Sequence, residues 1–599
     1  MKQSPKAGQA FYGLLGVSVY VPMKPLRIFL WFVLAISIVH CRKEIPHSFA
    51  GAWQALPADL FGEAQGMAAH WSVQGQGGAV SSANALATEA GIEILKRGGN
   101  AIDALLAVQW VLAVVEPQSS GLGGGGFLLY YDAATKKTFA LDGREEAPAA
   151  IPENIFLDAG GKPLPFPARI AGARAVGVPG TVALLDYAHR RFGGKKIPFA
   201  ETFDRAVQLA EHGIRVSPRL AQAMRINRDR LKAQNGGAIP LLLSGEPYAI
   251  GEQLVQSELA ATLKRLQKEG AADFYRGSIA DDIAATVRGH MIYASAMTKT
   301  DLENYRVVER ATVEAKVGNA VIYSVPAPAS GAYVLRAITG AGPYATTRGD
   351  TALLMSSLAA QKAAFGAREK ELEDPDFHSP PKAGTPQSGG AQNTTHVAIA
   401  DSFGNVVSYT SSVETSLGSA LFVRGRGFVL NNQLSDFNPE PGKLNSVQSG
   451  RRARITALNP EARETQGGKR PKSSMSPVII RQPNGSFTAL GSPGGPTIVG
   501  SVALVASRVL AGSDLQEAIH LPRALQMPNG KTLVELPLKR DKKFLTELKT
   551  RGFDADLRRS VISLGSVQAV GFNAADNLFT AASDLRREGL GLVVNPQVD

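Results

Sequence analysis

The chain is predicted to fold as a layered α/β sandwich, because residues 180–370 read as mostly helical, a strand-rich block begins at Thr394, and helix returns after the last clear strands. A low-complexity stretch, from His378-Ser379-Pro380-Pro381 to Gln387-Ser388-Gly389-Gly390, separates the helical region from the strands. No internal repeat interrupts this order.

Residues 42–78, rich in Gly and Gln near their end, read as a tether, with regular structure beginning at Ala79. Leu86, Ala90, Ile94 and Leu95 fall at helical spacing and predict a helix over Asn84–Arg97, stopped by Gly98-Gly99. Asn100 is placed to cap a second helix, Ala101–Val115, which is apolar nearly all round and therefore buried. Phe127–Asp132 and Thr138–Asp142 read as strands, as do Thr394–Asp401, Val406–Val413 and Gly427–Leu430, with Gly404-Asn405 as a turn. Val478–Arg481 and Phe487–Gly491 are further strands, and Thr497–Ala511 is a helix.

With 599 residues, 44% apolar and 19% charged, the composition is that of a globular protein able to bury a large core. Glycines cluster at Gly121–Gly126 and in Gly491-Ser492-Pro493-Gly494-Gly495, which fits either backbone held close to a ligand or tight turns. Net charge is +12, and Lys2, Lys6, Lys24 and Arg27 precede residue 42 with no acid among them. The one dense basic run, Arg451-Arg452-Ala453-Arg454, reads as a solvated loop, and no nucleic-acid partner is expected. Gly121–Gly126 contains G-x-G-x-x-G, but a buried helix precedes it and a strand follows, the wrong order for a dinucleotide site. Ser379-Pro380-Pro381-Lys382, an S-x-x-K match, sits in Pro-rich sequence and reads as linker.

The N-terminus reads as an export segment, residues 1–41. Lys24-Pro25-Leu26-Arg27 is followed by an apolar run, Ile28–Val39, short for a membrane span and suited to a secretory signal. Cys41, the only cysteine, sits where bacterial lipoproteins carry their lipid, although His40 stands where a small residue is usual. A cleaved signal with an incidental cysteine is the alternative, and Met23 is a second candidate start. The expectation is an exported protein, periplasmic or membrane-anchored through Cys41. One cysteine cannot build a soft metal site and no H-x-x-x-H pattern occurs, so neither metal nor organic cofactor is expected.

The segment Gln392-Asn393-Thr394-Thr395-His396 carries the chemistry. A hydroxyl is a weak nucleophile without a base, and a free α-amine titrates near ~8. A threonine made N-terminal by cleavage thus carries nucleophile and base in one residue. From spacing alone that reading is weak, because Thr-Thr pairs are common in ordinary strands.

Thr394-Thr395-His396 followed by Gly404-Asn405-Val406-Val407-Ser408-Tyr409-Thr410 resembles the start of the small subunit of γ-glutamyltranspeptidases, N-terminal-nucleophile hydrolases. The resemblance continues through Leu430–Phe437, Lys469–Pro477, Gly491–Gly495 and Ala582–Gly589. Upstream it takes in Gly98–Ala104, Gly121–Gly125, Asp142-Gly143-Arg144-Glu145 and Gly177–Gly180. It implies a four-layer αββα sandwich and self-cleavage between Asn393 and Thr394. A large subunit, 79–393, would then pair as a heterodimer with a small catalytic one, 394–599. By position it makes Thr394 the nucleophile and Ser412 its hydrogen-bonding partner, where the family has threonine. Gly494 and Gly495 become oxyanion donors, Arg144, Ser473 and Ser474 hold a substrate carboxylate, and Glu414, Gln433 and Asp436 surround its ammonium.

Two departures stand out. The segment between Asp374-Pro375-Asp376-Phe377 and Thr394 is shorter than usual in that family. Asn438–Gly468 is longer, basic, and without the tyrosine that lidded bacterial members place over the substrate, so a differently shaped loop near the cleft is expected. The implied activity is cleavage of γ-glutamyl amides such as glutathione through an acyl-enzyme, with water or an amine as acceptor. An amide acylase of the same fold and a non-catalytic surface-binding lipoprotein are the alternatives.

Overall fold

The computed structural model describes residues 72–342, 349–377, 392–453, 466–557 and 564–596. The export segment with Cys41, the low-complexity stretch with its S-x-x-K match, Arg454 and the middle of the Asn438–Gly468 loop lie outside the described residues. Among the described residues, no helix is long and apolar enough to cross a membrane.

In chain order the main elements are β1 (Ser72–Ser82), α1 (Ala85–Lys96), α2 (Ala101–Val115), β2 (Gly125–Asp132), β3 (Lys137–Gly143), α3 (Thr181–Phe192) and α4 (Pro218–Gln234). Three strands follow, β4 (Val308–Arg310), β5 (Val313–Val317) and β6 (Ala320–Ser324), then α5 (Gly331–Gly340) and α6 (Gly349–Glu371). The C-terminal part supplies β7 (Gln392–Asp401), β8 (Val406–Thr415), β9 (Val478–Arg481), β10 (Phe487–Gly491), α7 (Thr497–Leu510), β11 (Gln568–Asn573), β12 (Leu578–Ser583) and β13 (Leu590–Pro596).

All thirteen strands join one curled antiparallel sheet, ordered β4-β3-β2-β8-β7-β1-β12-β11-β10-β9-β6-β5, with β13 also on β1. The two wings meet at β1, which pairs with β7 at 78–82, with β12 at 72–75 and with β13 on its other edge. Side-chain alternation splits the burial. Val80, Leu128, Tyr130, Val397 and Ile399 enter a core with α1 and α2. Their neighbours Ala79, Phe127, Leu129, Ala398 and Ala400 enter a second core with Ala489 and Ala569 of the other wing and with α5 and α7. The large mixed α/β architecture agrees with the predicted class.

Local chemistry explains the helices near the site. Asn100 and Asp103 form a reciprocal capping box at the start of α2, whose residues are all buried. Ser217 caps α4 by accepting from the Leu220 amide, and Pro218 occupies its first turn, placing Arg219 at a fixed point beside it.

Several expectations need correction. The Gly/Gln-rich end of the supposed tether is the first half of β1: an added Cβ at Gly75 would lie 2.0 Å from the Asn595 carbonyl oxygen, so glycine there permits close strand packing. Gly427–Leu430 is not a strand of the sheet; Val429 and Leu430 make only isolated bridges, to Phe422 and Gly123. The region read as mostly helical also contributes β4, β5 and β6 to the sheet. Arg451 and Arg452 are not simply solvated, since Arg451 pairs with Asp301 at 2.7 Å and the Arg452 guanidinium lies 4.9 Å from the Phe377 ring centre. Arg452-Ala453 also pairs with Gln466-Gly467, closing the described ends of the 438–468 loop into a ribbon. The glycines of 121–126 also allow close backbone packing: Cβ atoms at Gly123 and Gly124 would meet the carbonyl oxygens of Val429 and Ser412 at 2.2 and 2.3 Å.

Candidate active site

Thr394 lies near the start of β7, buried, with Ser412 of β8 directly opposite. The pairing slips here, from Asn393↔Glu414 to Thr394↔Ser412, so β8 carries one extra residue. Glu414 absorbs the bulge with φ +80°, a conformation that costs a non-glycine residue about 1–3 kcal/mol and concentrates at functional sites.

The hydroxyl network at the bulge has a definite direction. Ser412 Oγ donates to the Asn393 carbonyl at 3.0 Å and accepts from the Glu414 amide at 2.9 Å. A hydroxyl has one proton. The 3.2 Å contact between Thr394 Oγ1 and Ser412 Oγ therefore has Thr394 as donor. Ser412 thus points a donor at the carbonyl that precedes Thr394 while accepting from the Thr394 hydroxyl.

Other groups hold the same two residues. Arg219 Nη2 donates to Asn393 Oδ1 at 2.8 Å, and Arg587 Nη1 donates to the Thr394 carbonyl at 2.7 Å. Arg219 is itself fixed by an ion pair to buried Glu116, by Ser119 Oγ at 3.1 Å, and through its backbone amide by Glu588 Oε1 at 2.8 Å. Glu116 also accepts from Thr395 Oγ1 at 3.3 Å. None of these was assigned a role from sequence. Glu116 precedes the glycine run and Arg587-Glu588 falls within a quoted motif, but Arg219 carries no local signal.

His396 ties β7 to the glycine loop. It lies two residues past Thr394, hence on the same face of β7, with Nδ1 2.9 Å from Thr410 Oγ1. Complete burial lowers its pKa to about 3, so the ring is neutral. The ring fills the place where a Cβ on Gly491 would stand, 2.3 Å from Cε1. Gly491 ends β10 and begins the turn to Gly494 and Gly495, which take φ of +127° and +57° just before α7. Their amides make no hydrogen bond to another described residue, and they sit at the N-terminus of α7, where the helix dipole favours negative charge.

Arg144 follows β3 and is almost fully buried. Its Nη1 donates to Gln433 Oε1 at 2.6 Å, its Nη2 to Asp436 Oδ2 at 2.5 Å and to the Lys472 carbonyl at 2.9 Å, and its Nε to the Pro471 carbonyl at 3.2 Å. Arg144, Gln433 and Asp436 are thus brought together, with the Arg144 donors engaged by protein groups. Beside it Glu145 is buried with neither carboxylate oxygen hydrogen-bonded. Burial, against the Arg144 guanidinium 3.7 Å away, pushes the Glu145 carboxyl up to about 8.

Arg470 anchors this segment, pairing with Asp142 at 2.7 Å and Glu146 at 2.8 Å. Burial raises the Asp142 carboxyl, but Arg470 and Arg310 outweigh it and hold it below the usual carboxylate range. Ser473 is buried and its Oγ accepts from the Met475 amide at 3.1 Å, while Ser474 Oγ accepts from Arg368 Nη2 at 3.2 Å. Arg368 and Ser330, which supports the Ser473 carbonyl, were not anticipated. Among the described residues no cluster of three or more His, Cys, Asp or Glu could hold a metal.

A family model for γ-glutamyltranspeptidase matches residues 87–387 and 381–594. The chain belongs to the γ-glutamyltranspeptidase family. It is therefore an N-terminal-nucleophile hydrolase by superfamily, and an enzyme of the hydrolase and transferase type. The glutathione hydrolase proenzyme of Bacillus subtilis strain 168 is 31% identical over 568 residues, 87% of this chain and 92% of that protein. The capsule biosynthesis protein CapD proenzyme of Bacillus anthracis is 30% identical over 530 residues, 85% of this chain and 89% of its own. A crystal structure of cephalosporin acylase from Bacillus halodurans superposes with a TM-score of 0.73 at 24% identity, covering 87% of this chain and 96% of that one, and so shares the fold.

Proposed function

We propose that this family member cuts itself between Asn393 and Thr394 and then hydrolyses or transfers γ-glutamyl groups through an acyl-enzyme on Thr394. The observation that carries the reading is the bulge: Thr394 Oγ1 donates to Ser412, and Ser412 donates to the Asn393 carbonyl. In the first reaction Thr394 Oγ1 bonds to the Asn393 carbonyl carbon and the bond from that carbon to the Thr394 nitrogen breaks. The hydroxyl proton ends on the nitrogen. Water then hydrolyses the ester, leaving an Asn393 carboxylate and a free Thr394 amine.

The freed amine, with a pKa of about 8, takes the Oγ1 proton as the hydroxyl attacks a γ-glutamyl carbonyl, and passes it to the departing amine. Gly494 and Gly495 amides would meet the oxyanion, a contribution of about 10²–10³ in rate per donor. The substrate carboxylate falls to Ser473 and Ser474 with the positive field of Arg144, and its ammonium to Glu414, Gln433 and Asp436. The cut chains form the αββα heterodimer and stay together because β7 and β8 lie between β1 and β2. Export through residues 1–41 belongs to the same reading.

A second reading, an acylase with another acyl group, draws on the closed state of Arg144, whose donors already meet Gln433 and Asp436. Intact mass and N-terminal sequencing of purified protein, with γ-glutamyl and glutaryl chromogenic amides, test both. Two chains, one beginning Thr394-Thr395-His396, with faster γ-glutamyl release are expected. An uncut 63.3 kDa chain without release would refute the proposal, and preference for glutaryl would favour the second reading.

A further inference from the structure

We infer that Arg219 is a positioning residue for self-cleavage, acting through the Asn393 side chain; the inference rests on cleavage at Asn393–Thr394. Attack on a neighbouring carbonyl needs that carbonyl held against rotation, since a near-attack geometry leaves about 3–3.5 Å between reacting atoms. Ser412 grips the Asn393 oxygen from one side, and Arg587 holds the Thr394 carbonyl beyond. The residue between them and the rest of the linker is fixed by its side chain, through the 2.8 Å bond from Arg219.

Arg219 is built to hold still. It stands at the start of α4, and both guanidinium nitrogens that reach the site are engaged on the body of the enzyme, Nη1 by Glu116 and Nη2 by Ser119. Glu116 is buried at the C-terminal cap of α2, where the helix dipole opposes a carboxylate. An acid in that place is stabilised by its arginine, and the pair then presents a planar, permanently charged donor to Asn393. Among the described residues, no other donor meets Asn393 Oδ1.

Cell-free translation of the full chain, sampled over minutes to hours and followed by gel and intact mass, measures the cleavage rate. Asn393→Ala removes the bond while leaving the Glu116–Arg219 pair intact, and Arg219→Gln removes it from the other side. Each is expected to slow cleavage at least tenfold, and the double variant to be no slower than the slower single one. Independent, multiplying effects would mean that Arg219 acts structurally and would overturn the inference, as would wild-type cleavage by Asn393→Ala. A wild-type chain that stays uncut, like Thr394→Ala, would remove the cleavage reading and this inference with it. Cleavage in the wild type with unaffected variants would remove this inference alone.

Discussion

Replacing Gly491 with alanine should disrupt the site by displacing the His396 ring packed against it. The new Cβ would stand 2.3 Å from His396 Cε1, 2.4 Å from Nδ1 and 2.8 Å from Nε2, all below any tolerated contact. The ring cannot swing to water, being fully buried with Nδ1 bonded to Thr410. Overpacking of this kind costs about 1–3 kcal/mol. Breaking the buried imidazole hydrogen bond adds about 1–3 kcal/mol. A loss of about 2–6 kcal/mol is therefore expected, accompanied by lower activity because the turn to Gly494 and Gly495 begins there. Urea unfolding followed by tryptophan fluorescence, on Gly491→Ala, His396→Ala and the double variant, isolates the clash. Removing the ring should relieve the methyl, giving a coupling of at least about 1 kcal/mol, whereas contacts that do not interact add within about 0.3–0.5 kcal/mol. Additive losses, or an unshifted Gly491→Ala curve, would refute the steric reasoning.

Ser412→Ala removes the donor to the Asn393 carbonyl and should slow self-cleavage by about 10²–10³, read by the appearance of the chain beginning at Thr394. As pH rises through about 8, Glu145 gains a negative charge 3.7 Å from Arg144 and competes with a substrate carboxylate, so KM should climb above pH 8. Glu145→Gln should flatten that rise; a rise unchanged in Glu145→Gln would assign it elsewhere. Arg470→Met removes the arginine paired with buried Glu146, which keeps the Gly468 amide, and leaves Asp142 with the Arg310 guanidinium and the Arg144 amide, a loss of about 3–5 kcal/mol in thermal or urea unfolding. A variant as stable as the parent would show that Arg470 is replaceable by apolar volume.

Elements set by local chemistry were legible in the sequence. α1 and α2 carry their asparagine caps, and β9 and β10 are short apolar runs between turns, so their ends were read where they lie. β1 was read late because Gln74-Gly75-Gln76 has neither β-branched residues nor an apolar face, and its pairing with the distant β12 and β13 backbones explains it. β4 and β6 were hidden among helices because each depends on a partner far along the chain, β4 on β3 and β6 on β9, whereas β5 pairs only with the adjacent β6 and lies at the sheet edge. The same distance hid Arg219 and Arg368. Each meets its site through a partner more than a hundred residues away, and an isolated arginine on a helix announces nothing. Ser412, Arg144, Gln433 and Asp436 came from motif order, and the protein-bound state of Arg144 could only come from coordinates.

The interleaving of β7 and β8 between β1 and β2 bears on how this enzyme can be made and remade. While the chain is whole, the sheet closes as an intramolecular search over long sequence separations, a slow but single-molecule event. After a cut at Thr394 the same closure would require two strangers to meet, each exposing half a core prone to aggregate. Mature enzyme that unfolds would then be lost at a rate set by its unfolding barrier, whatever its equilibrium stability. Separately expressed halves should fail to assemble even though every residue of the active enzyme is present.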